Sequence, residues 1–234
     1  MPACQSAPRF RPIPTVVMFC GLLVTAACAD DRDGGGDRAR TADLDENVAA
    51  IVDDLNGYWS EASSDLGFEF EPVGLDRVST GRDGVLCDRR PIEPSEVTGN
   101  AFVDSSCAEG ITVAYDPDYL GGSLVRSEAT LAHEWGHVVQ AQATELDLSL
   151  DPDGLPIDAE LQADCFAGAW AGERAASAIE QLRRDTAGAG DEGEVDIEDP
   201  HAHGSPEQRV AAFDVGLDGG PQACVDELID ALPE

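Results

Sequence analysis

The sequence predicts an α+β fold that is mainly helical and contains a small β-sheet. Apolar residues recur at helical spacing in three stretches, 43–64, 123–144 and 158–184. Between the first two, a region rich in Gly and Pro contains short β-like segments around 68–78, 101–103 and 111–115. The segment GITVAYD, residues 110–116, is the clearest strand. This order of elements favours one domain in which helices pack on a small sheet.

Capping patterns indicate where several helices begin and end. Asp43 is predicted to cap the first helix, with Glu46 completing a capping box. The sequence SPEQ at 205–208 predicts another start, because it combines a Ser cap, a Pro in the first turn and a Gln that closes the box. The glycine pair at 219–220 ends this helix, and a final helix is predicted over 221–232.

Length and composition indicate a folded, strongly acidic protein. A chain of 234 residues with 42% hydrophobic residues can bury the core of one good-sized domain. The formal net charge is −33, and all 14 basic residues are Arg. Such a surface repels phosphate, which excludes nucleic acid as a partner.

The N-terminus predicts a lipoprotein-type signal peptide over residues 1–27. Arg9 and Arg11 precede an apolar stretch at 13–27, which is shorter than a membrane-spanning helix requires. The sequence TAAC, which ends at Cys28, is similar to the site where bacterial lipoproteins are cleaved and lipidated. Lipidation of Cys28 would anchor the protein to the outer face of the cell membrane. Simple secretion and an uncleaved anchor are the alternatives.

The remaining chain divides into a flexible tether at 28–42, which contains a Gly run, and one domain at 43–234. An exported domain lies in an oxidising compartment, where cysteines pair. Four cysteines belong to the domain: Cys87, Cys107, Cys165 and Cys224. We predict the pairs Cys87–Cys107, which flanks a loop-rich stretch, and Cys165–Cys224, which joins two helices. Four buried free thiols are the alternative.

The sequence HEWGH, residues 133–137, has the spacing of a metal site on a helix. His133 and His137 are separated by one helical turn, so both rings can face one ion. Glu134 is rotated about 100° from His133 and lies beside the ion, where it can accept a proton from a metal-activated water. The alternative is an amphipathic helix with two buried histidines, each of which needs a polar partner.

The next predicted helix offers the third ligand that a catalytic zinc requires. Glu160 and Asp164 are again one turn apart. Glu160 is predicted to bind the metal, and Asp164 to accept a hydrogen bond from the far nitrogen of His133 or His137. The alternative for Glu160 is a solvated surface carboxylate, which is common in so acidic a protein.

These motifs carry a resemblance to a known family. HEWGHVVQ at 133–140 and ELQADCFAG at 160–168 resemble a family of bacterial neutral zinc metallopeptidases, as do HGSPEQR at 203–209 and GGPQAC at 219–224. The resemblance spans roughly residues 43–228. It implies a zincin-like metallopeptidase domain that binds Zn²⁺ through the two histidines of HEWGH, with Glu134 as general base. Similarity to thermolysin-like enzymes implies Glu160 as the third ligand.

Three further features have alternative interpretations. GITVAYD is placed to pair with an extended peptide substrate, as an upstream strand does in zincins, or it is an internal strand of the sheet. His203 is a possible transition-state stabiliser, or it only lies at a helix entry beside Ser205. The acidic stretch 191–199 lacks the spacing of a calcium loop, so a solvated loop is expected.

The sequence therefore predicts a zinc-dependent peptidase that acts on peptide or protein substrates outside the cytoplasmic membrane. The alternative is a catalytically inactive lipoprotein that keeps the zincin scaffold as a peptide-binding module. The presence of Glu134 favours the enzyme, because an inactive relative has no need for a general base.

Overall fold

A computed structural model describes residues 35–77, 84–86, 90–92, 101–104, 110–116, 120, 124–144, 156–193, 195 and 202–226. The predicted signal peptide, Cys28, the Cys87–Cys107 pair and most of the acidic stretch 191–199 lie outside these residues. No helix within the described part of the chain is both long and apolar enough to cross a membrane.

The described residues confirm a mainly helical α+β architecture. The helices are α1 (Gly35–Ala62), α2 (Leu124–Thr144), α3 (Ile157–Arg174), α4 (Ile179–Gly188) and α5 (Pro206–Asp226), with a 3₁₀ turn at Ser63–Leu66. The strands are β1 (Gly74–Arg77), β2 (Gly84–Leu86), β3 (Arg90–Ile92), β4 (Ala101–Asp104) and β5 (Thr112–Tyr115).

The main sheet has the strand order β1-β5-β4, with β1 parallel and β4 antiparallel to β5. β2 and β3 form a separate antiparallel pair. β5, the strand of GITVAYD, is central, and its Val113, Ala114 and Tyr115 are buried. The expectation that this strand pairs with a substrate is wrong, because both of its edges already bind neighbouring strands.

Two predicted helix boundaries are also wrong. α1 begins at Gly35, so the second half of the predicted tether is helical and Asp43 is not the cap. The residues from 37 to 42 include two Arg and two Ala, which are good helix formers, and no Pro that would stop the helix. α3 ends at Arg174 rather than continuing to 184, because a turn at 175–178 redirects the chain and lets Leu182 of α4 enter the core.

The start of α5 and its break at Gly220 follow the prediction, while the predicted end of the final helix at 232 lies outside the described residues. Ser205 and Gln208 form the expected capping box, in which the Gln208 backbone N–H donates to Ser205 Oγ at 3.2 Å and the Ser205 N–H donates to Gln208 Oε1 at 2.9 Å. Gly220 leaves the helical conformation at φ +72°, so the element consists of two helical segments around a kink. Only a glycine adopts this backbone without strain.

α3 and α5 pack in close contact and are covalently joined. A Cβ atom on Gly216 of α5 would overlap the carbonyl oxygen of Cys165 on α3, so the absence of a side chain permits this approach. The predicted disulfide Cys165–Cys224 is confirmed and closes a loop of 59 residues. In the chain-entropy description a loop of this length stabilises the fold by about 4 kcal/mol. The link holds together two helices that both contribute to the site described next.

Candidate metal centre

Trp135 and Gly136 set the orientation of α2. Trp135 is fully buried in the core, and its indole N–H donates to Asn56 Oδ1 of α1 at 3.0 Å. Gly136 lies where α2 crosses α3, and a Cβ there would approach Ala163 Cα to 2.6 Å. The tryptophan fixes the rotation of α2 and the glycine lets α3 approach. Together they bring the two histidines of HEWGH to the carboxylates of α3.

His133, His137 and Glu160 meet at this crossing. One possible ligand atom from each lies within 4.8 Å of the other two, so the group can hold a metal ion. His133 Nε2 is 3.2 Å from Glu160 Oε2, and His137 Nε2 is 3.5 Å from Glu160 Oε1. Tetrahedral ligands at the usual zinc distances are about 3.4 Å apart, and these two contacts, which involve different oxygens of Glu160, are of similar length.

The state of Glu160 also fits a metal ligand. The residue is 7% exposed, so the alternative of a solvated surface carboxylate is wrong. Its Oε2 is buried and accepts no well-formed hydrogen bond, although His133 Nε2 makes an ion-pair contact with it at 3.2 Å. A buried carboxylate oxygen without a donor is costly unless a cation satisfies it.

The second nitrogen of each imidazole has its own partner. His133 Nδ1 lies 2.9 Å from Asp164 Oδ1, which is the contact predicted for this aspartate. His137 Nδ1 lies 2.8 Å from Gln140 Oε1, and the Gln140 amide donates to Ala159 O and to Gln162 Oε1. These contacts orient both rings with Nε2 toward Glu160, as outer-shell partners do in known metal sites.

Gln140 and Arg209 are the two site residues that sequence reasoning missed. Gln140 had a weak signal, since it lies one turn after His137 on the same helix. Arg209 occupies an apolar-face position of α5 together with Ala212, Phe213 and Gly216, and it is only 4% exposed. A charged residue at such a position requires a buried partner, so the position of Arg209 on the apolar face could have identified it as a site residue.

Arg209 binds Asp164 with a two-pronged contact. Its Nε donates to Asp164 Oδ2 at 2.7 Å and its Nη2 donates to Asp164 Oδ1 at 2.8 Å. Its Nη1 donates to Ala189 O at 2.8 Å, just after the end of α4. The guanidinium therefore fixes the carboxylate that orients His133, and it also joins α3, α4 and α5.

The charges of the site shift its titration strongly. Burial opposes the charged form of His133, but the adjacent carboxylates of Asp164 and Glu160 outweigh it and raise the pKa of His133 to about 10. Burial is also unfavourable to ionised Asp164, yet Arg209 and His133 hold the pKa of its carboxyl below its usual value. For Glu134, burial dominates over the two histidines and raises the pKa to about 7. A carboxyl with such a pKa exchanges protons readily near neutral pH.

A cleft of about 470 Å³ opens beside these residues. His133, Glu134 and Asp164 line it, together with Arg209 and the C-terminal part of α4. His203 also lines it; its side chain is 47% exposed and its Nε2 is 3.9 Å from Glu160 Oε2. The backbone N–H groups of His203 and Gly204 both donate to Asp191 Oδ2. His203 is thus positioned at the cleft, while its role in transition-state stabilisation stays a prediction.

Comparison with known proteins found no match to the chain among protein-family models, curated proteins or solved structures.

Replacing Glu160 with Ala should remove the third ligand and lower metal affinity by more than the ~10–100-fold typical of outer-shell changes. Metal content after dialysis, measured by mass spectrometry, tests this. Glu173→Ala is the matched control, because Glu173 is an exposed glutamate on the same helix. Full metal stoichiometry in Glu160→Ala would exclude Glu160 as a ligand.

Proposed function

We propose that the protein is a zinc-dependent peptidase in which His133, His137 and Glu160 hold the metal and Glu134 is the general base. One observation carries the proposal: Glu134 is a buried carboxylate outside the ligand set that lines the same cleft as His133. A structural metal site closes its coordination with protein ligands and has no need of such a group.

The donor set favours zinc over magnesium and calcium. Two imidazole nitrogens and one carboxylate are the protein ligands of many catalytic zinc sites, and they leave one position open. Magnesium and calcium prefer oxygen ligands throughout. The open cleft next to His133 supports a catalytic site, because a substrate can reach the free position.

Zinc, when bound, would lower the pKa of a coordinated water and polarise the carbonyl of the substrate. Glu134 accepts the proton of the attacking water as its oxygen bonds to the peptide carbon. Glu134 then gives this proton to the amide nitrogen as the C–N bond breaks. Asp164, held by Arg209, keeps the imidazole of His133 oriented through both steps.

The resemblance of HEWGH and ELQAD to motifs of bacterial neutral zinc metallopeptidases supports the same proposal. We also propose that the domain has a zincin-like fold. β5 is the central strand of its sheet, and both of its edges pair with other strands. We therefore expect the substrate backbone to bind to other parts of the cleft. For location we propose the outer face of the cell membrane, with a lipid anchor at Cys28. The Cys165–Cys224 disulfide supports this, since such bonds persist in oxidising compartments.

Hydrolysis of casein or an unstructured fluorogenic peptide should require the metal. We expect the purified domain to lose turnover after treatment with a chelator and to regain it when one equivalent of Zn²⁺ is added. Circular dichroism before and after chelation shows whether the fold persists. A zinc-loaded, folded protein that cleaves neither substrate would favour the non-catalytic binding module.

A further inference from the structure

The cleft extends beyond the metal centre into a space between α2 and α4. On the α2 side, Ala129 and Thr130 line it one turn before His133. On the α4 side, Gly188 and Ala189 contribute almost no side-chain volume. Small residues on both walls leave room for a side chain of a bound peptide next to the metal ligands.

Asp185 is the acidic residue that α4 contributes to the lining of this space. Its Oδ1 accepts a hydrogen bond from the Gln181 amide at 3.1 Å, a partner without charge. The neighbouring cations are engaged elsewhere: Arg183 pairs with Asp214 and Glu180, and Arg184 donates to Gln181 Oε1. Among the described residues, no ion pair involves Asp185.

The other charges that line the cleft balance one another. Arg209 and Asp164 form a buried ion pair of zero net charge. Glu134, the remaining carboxylate of the lining, lies beside the metal group, where a bound divalent ion would offset its charge together with that of Glu160. Asp185 therefore leaves one negative charge uncompensated, at a half-buried position where solvent screens it less than on the open surface.

We propose that Asp185 makes this space a subsite for a cationic side chain, so that the enzyme prefers peptides with Arg or Lys next to the scissile bond. The inference rests on the proposed peptidase function and specifies its substrate class. An ionised carboxylate in a cleft binds a guanidinium or ammonium group through charge-assisted hydrogen bonds. A substrate with Glu at the same position would place two negative charges together.

The overall charge of the protein has a different effect from this local one. A net charge of −33 attracts every cationic peptide, with a strength that falls steeply with salt. Replacing Asp185 with Asn changes the net charge only from −33 to −32. Any large change of preference in that variant must come from the local contact.

The test uses zinc-loaded protein and fluorogenic peptides that differ at one residue beside the scissile bond, which is Arg, Gln or Glu. We expect kcat/KM for Arg to exceed that for Gln by at least about tenfold in the wild type, which corresponds to ~1.4 kcal/mol. This ratio should fall close to one in Asp185→Asn. In Asp185→Arg, the peptide with Glu should have the highest kcat/KM of the three. Asn keeps the acceptor that Gln181 uses, so the fold of α4 is preserved.

Glu180→Gln provides the matched control. It makes the same change of charge on the same helix, at an exposed residue outside the cleft. Its Arg-to-Gln ratio should equal that of the wild type. Equal ratios in wild type and Asp185→Asn, with turnover present, would overturn the inference.

A binding measurement separates failure of the inference from failure of the proposed function. In the zinc-loaded Glu134→Gln protein, calorimetric titration reports the affinity for the Arg peptide without turnover. Tighter binding of the Arg peptide that disappears in Glu134→Gln/Asp185→Asn supports the subsite even if the wild type hydrolyses nothing. Equal affinity for the Arg and Gln peptides in the Glu134→Gln protein contradicts it.

Discussion

Replacing Glu134 with Gln is expected to lower kcat by about 10²–10⁴-fold while zinc stays bound. Gln has almost the same size as Glu but accepts no proton, and Glu134 is outside the group of residues that can hold a metal. The loss should therefore appear in the chemical step and leave metal content unchanged. Burial raises the pKa of Glu134 to about 7, so the charged form is costly in the metal-free protein. The neutral amide avoids this cost, and the unfolding temperature should stay the same or rise.

The measurement combines kcat for a fluorogenic peptide, zinc stoichiometry and thermal unfolding of the same preparation. Glu128→Gln is the control, because Glu128 belongs to the same helix and does not line the cleft. Turnover within about threefold of wild type in Glu134→Gln would exclude Glu134 as the general base. Loss of zinc in that variant would instead indicate that Glu134 binds the metal.

The metal group was predictable because its geometry is mostly local. Residues four apart on a helix face the same side, so HEWGH and ELQAD each specify a pair of neighbouring polar side chains. The two stretches are adjacent along the chain, which favours packing of their helices. His133, His137 and Glu160 accordingly lie together in the structure.

Other parts of the molecule depend on contacts that no local pattern specifies. β5 is central because it pairs with both β1 and β4. The sequence of a single strand does not determine which strands it pairs with. The α4 wall of the cleft depends on the turn at 175–178. Helical periodicity continues through this turn, so the sequence predicted one helix instead of two. Arg209 reaches its partner Asp164 across 45 residues of sequence.

Replacing Arg209 with Ala is expected to lower the free energy of unfolding by about 3–5 kcal/mol, because the buried Asp164 carboxylate loses the charge and both hydrogen bonds of the guanidinium and keeps only His133 as a partner. The Asp164 side chain is 1% exposed, so water cannot take the place of the guanidinium. Chemical denaturation of the metal-free protein measures the change. Arg183→Ala is the control, since it removes a more exposed surface ion pair and should cost about 1 kcal/mol or less.

A double variant separates the stability of this ion pair from its effect on the metal. Arg209→Met combined with Asp164→Asn leaves no unpaired charge, so it should recover most of the stability lost in Arg209→Ala. Zinc affinity should stay about 10–100-fold below wild type, because His133 then lacks the carboxylate that orients its ring. Arg209→Lys should keep the charge but lose the two-pronged contact. Its zinc affinity should lie between that of the wild type and that of the double variant. If the double variant regains wild-type zinc affinity together with its stability, then Arg209 only supports the fold and has no part in orienting His133.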